Sequence, residues 1–482
     1  MNVCLLQSGG KHVFTRGNAP LAALASCGVL MAVMQTIVVP LLPQLPALTG
    51  GSPTDVSWMI TATLLAGAVA TPLLGRAGDM YGKRRVLLMA LASMVAGSVL
   101  CAVSATLPVL IAGRALQGVA IAVVPLGISI LRDELPRERV IGAIAMMSAT
   151  LGVGAAFGIP LATLVVEHYD WHTMFWACAV LGSLVALAVV TVVPESPVRT
   201  RGRFDVVGAL GLTTVLVCLL VAVSKGNAWG WGSARVLGLL AGAVVVAPLW
   251  VWHQLRAGTP LVDLRVSVRP AVLFTNLAAL LIGFSFYANS LATAQLVQEP
   301  TSTGYGLGAS IVVSGLCLLP GGIAMVLLSP VSARLSAARG PRFTLAAAAG
   351  LMAVGYAVRL FTSTDLVSIV FGATVVAAGT AVAYSALPAL IMHAVPVTET
   401  AAANGLNTLM RSIGQAVCSA VVAIVLSGLT ARSADGHSAP TLQAYLAVFA
   451  IAGFCALGAL GLTLLIPGRR RAPSPVLAVG TA

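Results

Sequence analysis

The stretch Gly75-Arg76-Ala77-Gly78-Asp79-Met80-Tyr81-Gly82-Lys83-Arg84-Arg85 separates two apolar runs, 54–74 and 86–105. Each run has about the 20 residues that a helix needs to cross ~30 Å of hydrocarbon. The glycines permit a tight reversal of the chain, and Asp79 is suited to the positive end of a helix dipole. The basic cluster that ends the stretch is typical of a cytoplasmic loop. The stretch therefore predicts two transmembrane helices joined by a short basic turn.

The same apolar pattern continues outward in both directions along the chain. Fourteen runs are long enough to span a bilayer, the first at 19–43 and the last at 443–466. Of the 482 residues, 59% are hydrophobic and 9% are charged, with a mean hydropathy of +0.99. A soluble domain carries roughly 25% charged residues. The sequence therefore predicts an all-α polytopic membrane protein with fourteen transmembrane helices.

Positive charge predicts the orientation of these helices. If the N-terminus is cytoplasmic, most of the 27 basic residues fall in cytoplasmic segments, as the positive-inside rule requires. Lys225, Arg235, Arg359 and Arg432 are then assigned to the outer segments and their flanks. One helix more or fewer would reverse every later loop, so both termini are expected to be cytoplasmic. The net charge of +13 is thus explained by topology and anionic lipid, and no nucleic-acid partner is expected.

The stretch 75–85 resembles the signature loop between helices two and three of the major facilitator superfamily. In that family the loop helps to latch the two halves of the transporter in one access state. The resemblance implies this gating role for the residues that match the motif, which are Gly75, Gly78, Asp79, Gly82, Lys83, Arg84 and Arg85.

Two further motifs are similar to the same family. Arg114-Ala-Leu-Gln117-Gly118 resembles the fourth-helix motif, whose arginine is linked to proton coupling, so Arg114 and Gln117 become candidates for that role. The fifth run carries glycines and a proline in the pattern of the antiporter motif of drug exporters, although the usual Gly-Pro order is altered; these are Gly152, Gly154, Gly158 and Pro160. Small residues at this spacing also allow close helix packing, which alone would explain them.

Residues 204–254 supply two helices between two groups of six. This insertion is typical of the 14-helix drug:proton antiporter family within the superfamily, and the resemblance covers essentially the whole chain. It implies a six-helix bundle over 1–193, a linker with two additional transmembrane helices over 194–254, a second bundle over 255–466 and a cytoplasmic tail over 467–482. The second bundle repeats the turn in weakened form, because aligning Gly340 with Gly82 places Ala337 where Asp79 stands.

Polar residues within the runs are candidates for a substrate cavity, because charge inside a bilayer is costly. On the thirteenth run four polar residues share one helical face, and other candidates lie on the ninth and first runs: Asn404, Asn407, Arg411, Gln415, Asn276, Tyr287, Ser290 and Gln35. The alternative is that Arg411 extends to the membrane surface while the amides join helices. No acid lies in mid-span, and Met34 occupies the place of the family's aspartate in helix one. We therefore expect neutral or anionic amphiphiles to suit the cavity better than quaternary ammonium compounds.

The sequence contains none of the usual phosphate-loop, zinc-helix or nucleophile-elbow motifs, so an enzyme is not expected. No cofactor is expected either, and an ion gradient would provide the energy.

The favoured function is proton-coupled export of drugs or other small amphiphilic molecules by alternating access. A passive facilitator or a proton symporter for a nutrient remains an alternative, and a membrane sensor or scaffold is a weaker one. The expected partners are the bilayer, protons and an amphiphilic substrate, with a monomer in a plasma membrane. The marked excess of arginine over lysine and the abundant alanine indicate a bacterial inner membrane.

Overall fold

The computed structural model describes residues 18–38, 41, 45–50, 53–362, 365–432 and 438–467. Fourteen long helices make up most of this part of the chain. They are α1 (Ala19–Thr36), α2 (Trp58–Tyr81), α3 (Lys83–Val103), α4 (Leu107–Glu134), α5 (Arg137–His168), α6 (His172–Val192), α7 (Val206–Trp229), α8 (Ala234–Arg256), α9 (Pro270–Gln298), α10 (Ile311–Arg339), α11 (Pro341–Thr362), α12 (Leu366–Ala394), α13 (Thr400–Gly428) and α14 (Leu442–Leu465). A 3-10 turn over Val119–Ala122 interrupts α4.

Thirteen of the fourteen helices are long and apolar enough to cross a membrane, as judged on the described residues. The remaining helix, α5, is the longest single element and contains residues whose side chains the structure does not describe. Helices dominate because no water is available in hydrocarbon, so each segment must satisfy its backbone hydrogen bonds internally. The predicted all-α polytopic architecture is confirmed.

Short elements complete the described chain. Helical turns lie at Leu45–Thr49, Pro53–Val56 and Leu264–Ser267. Two short strands, Thr430–Arg432 and Ser438–Pro440, pair antiparallel between α13 and α14. The first predicted span reached residue 43, but α1 ends at Thr36, and residues 39, 40, 42 and 43 of that span lie outside the described part of the structure.

The buried apolar side chains form two main clusters. One is built mainly from α1 and α3–α6 around residues such as Leu30, Met94 and Leu126, and it also includes buried residues of α12 and α13. The other is built from α9–α14 around Ile282, Met352 and Phe449. A smaller cluster joins α7 to both α2 and α13 through Leu212, Leu216, Ala68 and Leu409. The additional helix α7 therefore packs across the line where α2 meets α13.

The turn between α2 and α3 and the turn between α10 and α11 have the same construction. Gly82 and Gly340 both have positive φ angles, of 115° and 86°, which side-chain-bearing residues rarely adopt. In each turn the glycine amide donates to the carbonyl four residues earlier, in Gly78 and Ser336 respectively. We call the end of the bundle that holds these two turns the basic face and the other end the opposite face.

Candidate functional site

Asp79 joins the end of α2 to the start of α13 on the basic face. Its carboxylate is fully buried and accepts two backbone N–H bonds, from Ala401 (3.2 Å to Oδ1) and Ala402 (2.9 Å to Oδ2). These amides belong to the first turn of α13, whose N–H groups have no partner within the helix and whose dipole favours an anion. The sequence predicted a helix N-terminus near Asp79, and the structure shows that it lies 322 residues further along the chain.

A second buried carboxylate, that of Asp133, is connected to this contact through Lys83. Lys83 Nζ lies 3.5 Å from Asp79 Oδ1 and 2.5 Å from Asp133 Oδ2 on α4, and all three side chains are fully buried. The Ser196 hydroxyl donates to the same oxygen of Asp133. Because each charge has an opposite charge or hydrogen-bond partner, the cluster avoids the large cost of isolated buried ions. Lys83 thus links the turn between α2 and α3 to α4.

The segment between α6 and α7 crosses the basic face and ties these elements together. Glu195 accepts the amides of Arg84 (3.1 Å) and Arg85 (3.2 Å) and so caps the start of α3. The Thr200 amide donates to the Asp79 carbonyl (2.7 Å), and its hydroxyl donates to Thr398 (2.6 Å) just before α13. On the basic face, these contacts therefore join the first six helices to the last six.

Glycines allow α2 and α13 to approach closely at the same place. A Cβ added to Gly75 would lie 2.6 Å from the carbonyl oxygen of Ala401, and one added to Gly405 would lie 2.7 Å from that of Thr71. Real Cβ atoms are not found at such distances, so only glycine permits this backbone contact. The contact places Asp79 within reach of the α13 amides.

Arg114 lies buried between α1, α2 and α4, towards the opposite face. Its Nη1 donates to Gln117 Oε1 (2.7 Å) and to the Met34 carbonyl (3.1 Å), and its Nε donates to the Met59 carbonyl (3.4 Å). Gln117 in turn donates to Ser98 on α3 (2.8 Å). The family resemblance implied an aspartate at position 34. Here the backbone carbonyl of Met34 accepts the hydrogen bond from Arg114 instead. The Arg114–Gln117 pair thus connects four helices of the first group.

The glycines of α5 face two different neighbours. Gly154 and Gly158 pack against Ala32 and Thr36 of α1, and the Thr36 hydroxyl donates to the Gly154 carbonyl (3.2 Å). Gly152 packs against α10, where a Cβ would lie 3.0 Å from the Gly322 carbonyl. The side chain of Pro160 is outside the described part of the structure. The glycine pattern therefore serves close packing both within the first group and between the groups.

We expect Gly154→Ala to destabilise the protein by about 1–3 kcal/mol, because the new methyl would overlap the backbone of Ala32. Gly142→Ala, on the same helix, is the matched control, since a Cβ there meets nothing within 4 Å. Thermal unfolding of both variants in detergent measures the difference. Equal unfolding temperatures would show that α1 and α5 are less tightly packed than the structure indicates.

Several of the predicted cavity residues come together between α9, α12 and α13. Asn407 donates to Asn276 Oδ1 (3.0 Å), and the Arg411 guanidinium lies 4.7 Å from the ring centre of Tyr384. Tyr384 contacts Phe286 edge-on at 5.6 Å. Arg411 also donates to Thr408 (3.1 Å), and its side chain is 9% exposed, so it lies within the bundle and does not extend to the surface. Sequence reasoning missed Tyr384, which reads as one more apolar position in α12.

The other predicted cavity residues lie apart from this cluster or at its edge. Gln415 borders Tyr384, and Asn404 donates to the Thr400 carbonyl near the basic face (3.0 Å). Ser290 lines a small cavity of about 30 Å³ between α9, α10 and α12, and Tyr287 is partly buried on the same helix. Gln35 donates to the Met31 sulfur on its own helix (3.1 Å). The structure thus unites Asn276 with part of the α13 face but does not bring Gln35 to it.

Two basic residues assigned from sequence to the outer flanks are buried in the bundle. Arg359 is fully buried on α11, donates to Asn289 Oδ1 on α9 and lies 3.8 Å from the ring centre of Phe449 on α14. Lys225 is 2% exposed on α7, donates to Ser57 (2.5 Å) and lies over Trp58. Both residues lie near the opposite-face ends of their helices, but their burial was not predicted, because hydropathy gives depth along a helix but not which side of the helix faces protein.

Asp205 fastens the two additional helices to each other on the basic face. Its carboxylate caps α7 at the Gly208 amide (2.8 Å) and accepts bonds from His253 (2.9 Å) and Gln254 (2.8 Å) at the end of α8. Partial burial alone would raise the pKa of this carboxyl, but the three donors together hold the pKa below its ordinary value. Asp205 therefore stays ionised and keeps the α7–α8 pair together.

Within the described residues, no group of three or more His, Cys, Asp or Glu side chains is arranged to hold a metal ion. The candidate site residues instead make contacts between helices. The contacts on the basic face are polar and join the two groups beside a cavity of about 240 Å³, and a second cavity of about 590 Å³ lies at the opposite face between α7, α9, α13 and α14.

Comparison with known proteins agrees with this description. The family model described as Major Facilitator Superfamily matches residues 24–419 and 275–481. An uncharacterized MFS-type transporter of Mycobacterium tuberculosis is 32% identical over 70% of this chain, and the match spans 48%, about half, of that protein's length.

Two other proteins extend the comparison over more of the chain. The multidrug resistance protein Stp of M. tuberculosis is 25% identical over 85% of this chain and 76% of its own length. The solved structure of the proton:xylose symporter XylE covers 93% of this chain and 95% of its own, with a TM-score of 0.66 at 12% identity. The structural likeness concerns the fold alone.

Proposed function

Because this chain belongs to the major facilitator superfamily, we propose that it is a proton-coupled exporter of small amphiphilic molecules that works by alternating access. The basic face is cytoplasmic in this proposal, and so are both termini, as the positive-inside rule indicates. The observation that carries the proposal is the buried contact of Asp79 with the α13 amides. It joins the first six helices to the last six on the cytoplasmic side.

Export is supported by the similarity to a protein whose name records multidrug resistance. In the state described, the contacts of Asp79 and Thr200 join the two groups at the cytoplasmic face. A state in which these contacts break would open that face and complete the cycle.

Charge within the bundle bears on the substrate. Arg411 brings a positive charge to the cluster with Tyr384, Asn276 and Asn407, and the described mid-helix residues around it include no carboxylate. A permanent organic cation would be repelled there at low dielectric constant. We propose that the species that crosses is neutral or anionic. Arg114 contributes less to the positive electrostatic potential within the bundle, because its guanidinium donates hydrogen bonds to Gln117 and two backbone carbonyls.

The test is efflux from cells expressing the protein, with cationic, neutral and anionic fluorescent amphiphiles measured with and without a protonophore. Arg114→Ala serves as the variant expected to lose export, because it breaks the link between four helices. Extrusion that both the protonophore and the substitution abolish is the expected result. Downhill movement that ignores the protonophore would instead favour a passive facilitator, and failure to move any compound would reject export.

A further inference from the structure

The cavity of about 240 Å³ on the basic face lies beside the contact of Asp79 with α13, since Ala402 takes part in both. Its walls come from the end of α2, the segment between α6 and α7, the segment between α8 and α9, and the elements α9, α12 and α13. Arg76 belongs to the first six helices, whereas Val272 and Val395 belong to the last six or adjoin them. The cavity therefore has this shape only while the two groups are joined on the basic face.

Arg76 brings a buried positive charge to this cavity. It is 6% exposed, and among the described residues no hydrogen bond or ion pair reaches its guanidinium. A buried guanidinium without an anionic partner is costly, because the loss of its hydration is not compensated. Its planar set of N–H donors matches the geometry of a carboxylate or a phosphate. Arg76 thus directs donors for an oxyanion into the cavity.

The other charged lining residues differ in how far the protein already engages them. Arg201 is exposed at the mouth of the cavity and adds a second cation. The Asp263 carboxylate accepts the amides of Arg265 (2.9 Å) and Val266 (3.1 Å), so its own segment satisfies it. Glu399, just before α13, is the second lining carboxylate and is half-buried. Apart from Asp263, the lining therefore carries two positive charges and one negative charge.

The wall opposite the mouth is apolar. Leu261, Val262, Val272 and Val395 line it and are each at most 8% exposed. The volume of about 240 Å³ is a little below the ~300 Å³ at which sites for drug-sized ligands begin. A buried cation beside a small apolar wall fits an oxyanion that carries one ring or a short alkyl chain.

We propose that this cavity binds a small organic oxyanion, a phosphate or carboxylate group with an apolar part, and that the bound anion stabilises the joined basic face. Arg76 pairs with the oxyanion, and the wall of Val272 and Val395 holds the apolar part. Because both groups of helices supply the walls, the anion binds the joined form better than an opened one and shifts the equilibrium towards it. The proposal concerns control of the basic face and does not depend on which molecule the protein exports.

The first test is calorimetric titration of the purified protein in phosphatidylcholine nanodiscs with phenyl phosphate. Benzyl alcohol, which has the ring without the charge, is the matched compound and should bind more weakly. We expect Arg76→Gln to weaken binding of phenyl phosphate at least about tenfold, as loss of a hydrogen bond to a charged group does. Arg199→Gln removes an exposed arginine that does not line the cavity, so it should bind as the unmodified protein does. Equal affinity of Arg76→Gln and the unmodified protein would overturn the proposal.

Thermal unfolding shows that the loss of binding is not a loss of the fold. Without an added anion, Arg76→Gln should unfold at no lower temperature than the unmodified protein, because the substitution removes a buried charge that no described residue pairs. Phenyl phosphate should raise the unfolding temperature of the unmodified protein and leave that of the variant unchanged. An equal rise in both proteins would contradict a role of Arg76 in binding.

A second variant is expected to have the opposite effect on affinity. Glu399→Gln removes the negative charge that repels an anion in the cavity, so phenyl phosphate should bind more tightly, by about two- to fivefold. Weaker binding in Glu399→Gln would show that the carboxylate holds the ligand, and this result would overturn an anion as the occupant.

The lipid composition separates two sources of the oxyanion. The titration is repeated in phosphatidylglycerol nanodiscs at high ionic strength, which screens the surface charge of the lipid. Loss of phenyl phosphate binding there would identify an anionic lipid headgroup as the occupant, and unchanged affinity would identify a soluble anion. Both results uphold an anion site, provided that binding in phosphatidylcholine requires Arg76.

The effect on the basic face is measured by distances between spin labels at Arg85→Cys and Arg339→Cys, in a protein that also carries Asp79→Asn. This substitution is expected to open the face, and phenyl phosphate should restore the shorter distances. The same protein with Arg76→Gln added should not respond. Unchanged distances despite binding would overturn the stabilising role of the anion. Efflux enters none of these measurements, so a loss of export with intact binding would reject the exporter alone.

Discussion

Asp79→Asn is expected to reduce export at least tenfold and to open the basic face. An asparagine has about the same size, but it carries no charge and presents one acceptor oxygen where the carboxylate presents two. One of the amides of Ala401 and Ala402 would then face an NH₂ group. Hydrogen bonds to a charged group contribute about 1.5–3 kcal/mol each. Loss of one such bond at the junction of the two groups would shift the balance of closed and open forms about 10–100-fold.

The opening is measurable by distances between spin labels at Arg85→Cys and Arg339→Cys, two exposed positions on the basic face that belong to different groups. The native cysteines are first replaced. Asp365→Asn is the matched control, because the Asp365 carboxylate also caps a helix N-terminus, but it does so by accepting bonds from Ser368 of the same helix, α12. If the distance distribution and efflux of Asp79→Asn match those of the unmodified protein, Asp79 is not the latch.

Arg359→Ala is expected to destabilise the protein by about 3–5 kcal/mol, although Arg359 lies only three residues from the end of α11. The substitution leaves a cavity beside Phe449 and removes the donor from Asn289 Oδ1, and both effects are costly in a closely packed interior. Asn289 also donates to the Ala373 carbonyl on α12 (3.1 Å), so the contact holds four helices of the second group together.

Thermal unfolding in detergent measures this effect, and Arg235→Ala on the exposed side of α8 is the control with the same loss of charge. Removal of an arginine from the protein surface usually changes stability by less than about 0.5 kcal/mol. Similar unfolding temperatures for the two variants would therefore contradict the buried contact.

The candidate site was predictable only in part. Gly75, Asp79 and Gly82 were recognisable because a sharp turn, an acid and a basic cluster leave a local pattern. The partners of Asp79 were not, because the amides of Ala401 and Ala402 belong to the backbone and any residue would supply them. Gln35 and Asn276 looked equally suited to a cavity, yet only Asn276 meets Asn407, since hydropathy does not say which helices are neighbours.

The amino-acid sequence by itself determined the fourteen helices and the position of the turn at Gly82, and it predicts the orientation of the helices. These depend on local properties: runs of apolar residues as long as the bilayer is thick, charges in short loops, and glycine at a positive φ angle. The tertiary structure alone decided that Arg359 and Lys225 are buried and that α7 covers the junction of α2 and α13. The reason is that burial and electrostatic surroundings depend on residues far apart in the chain, which come together only when the helices pack.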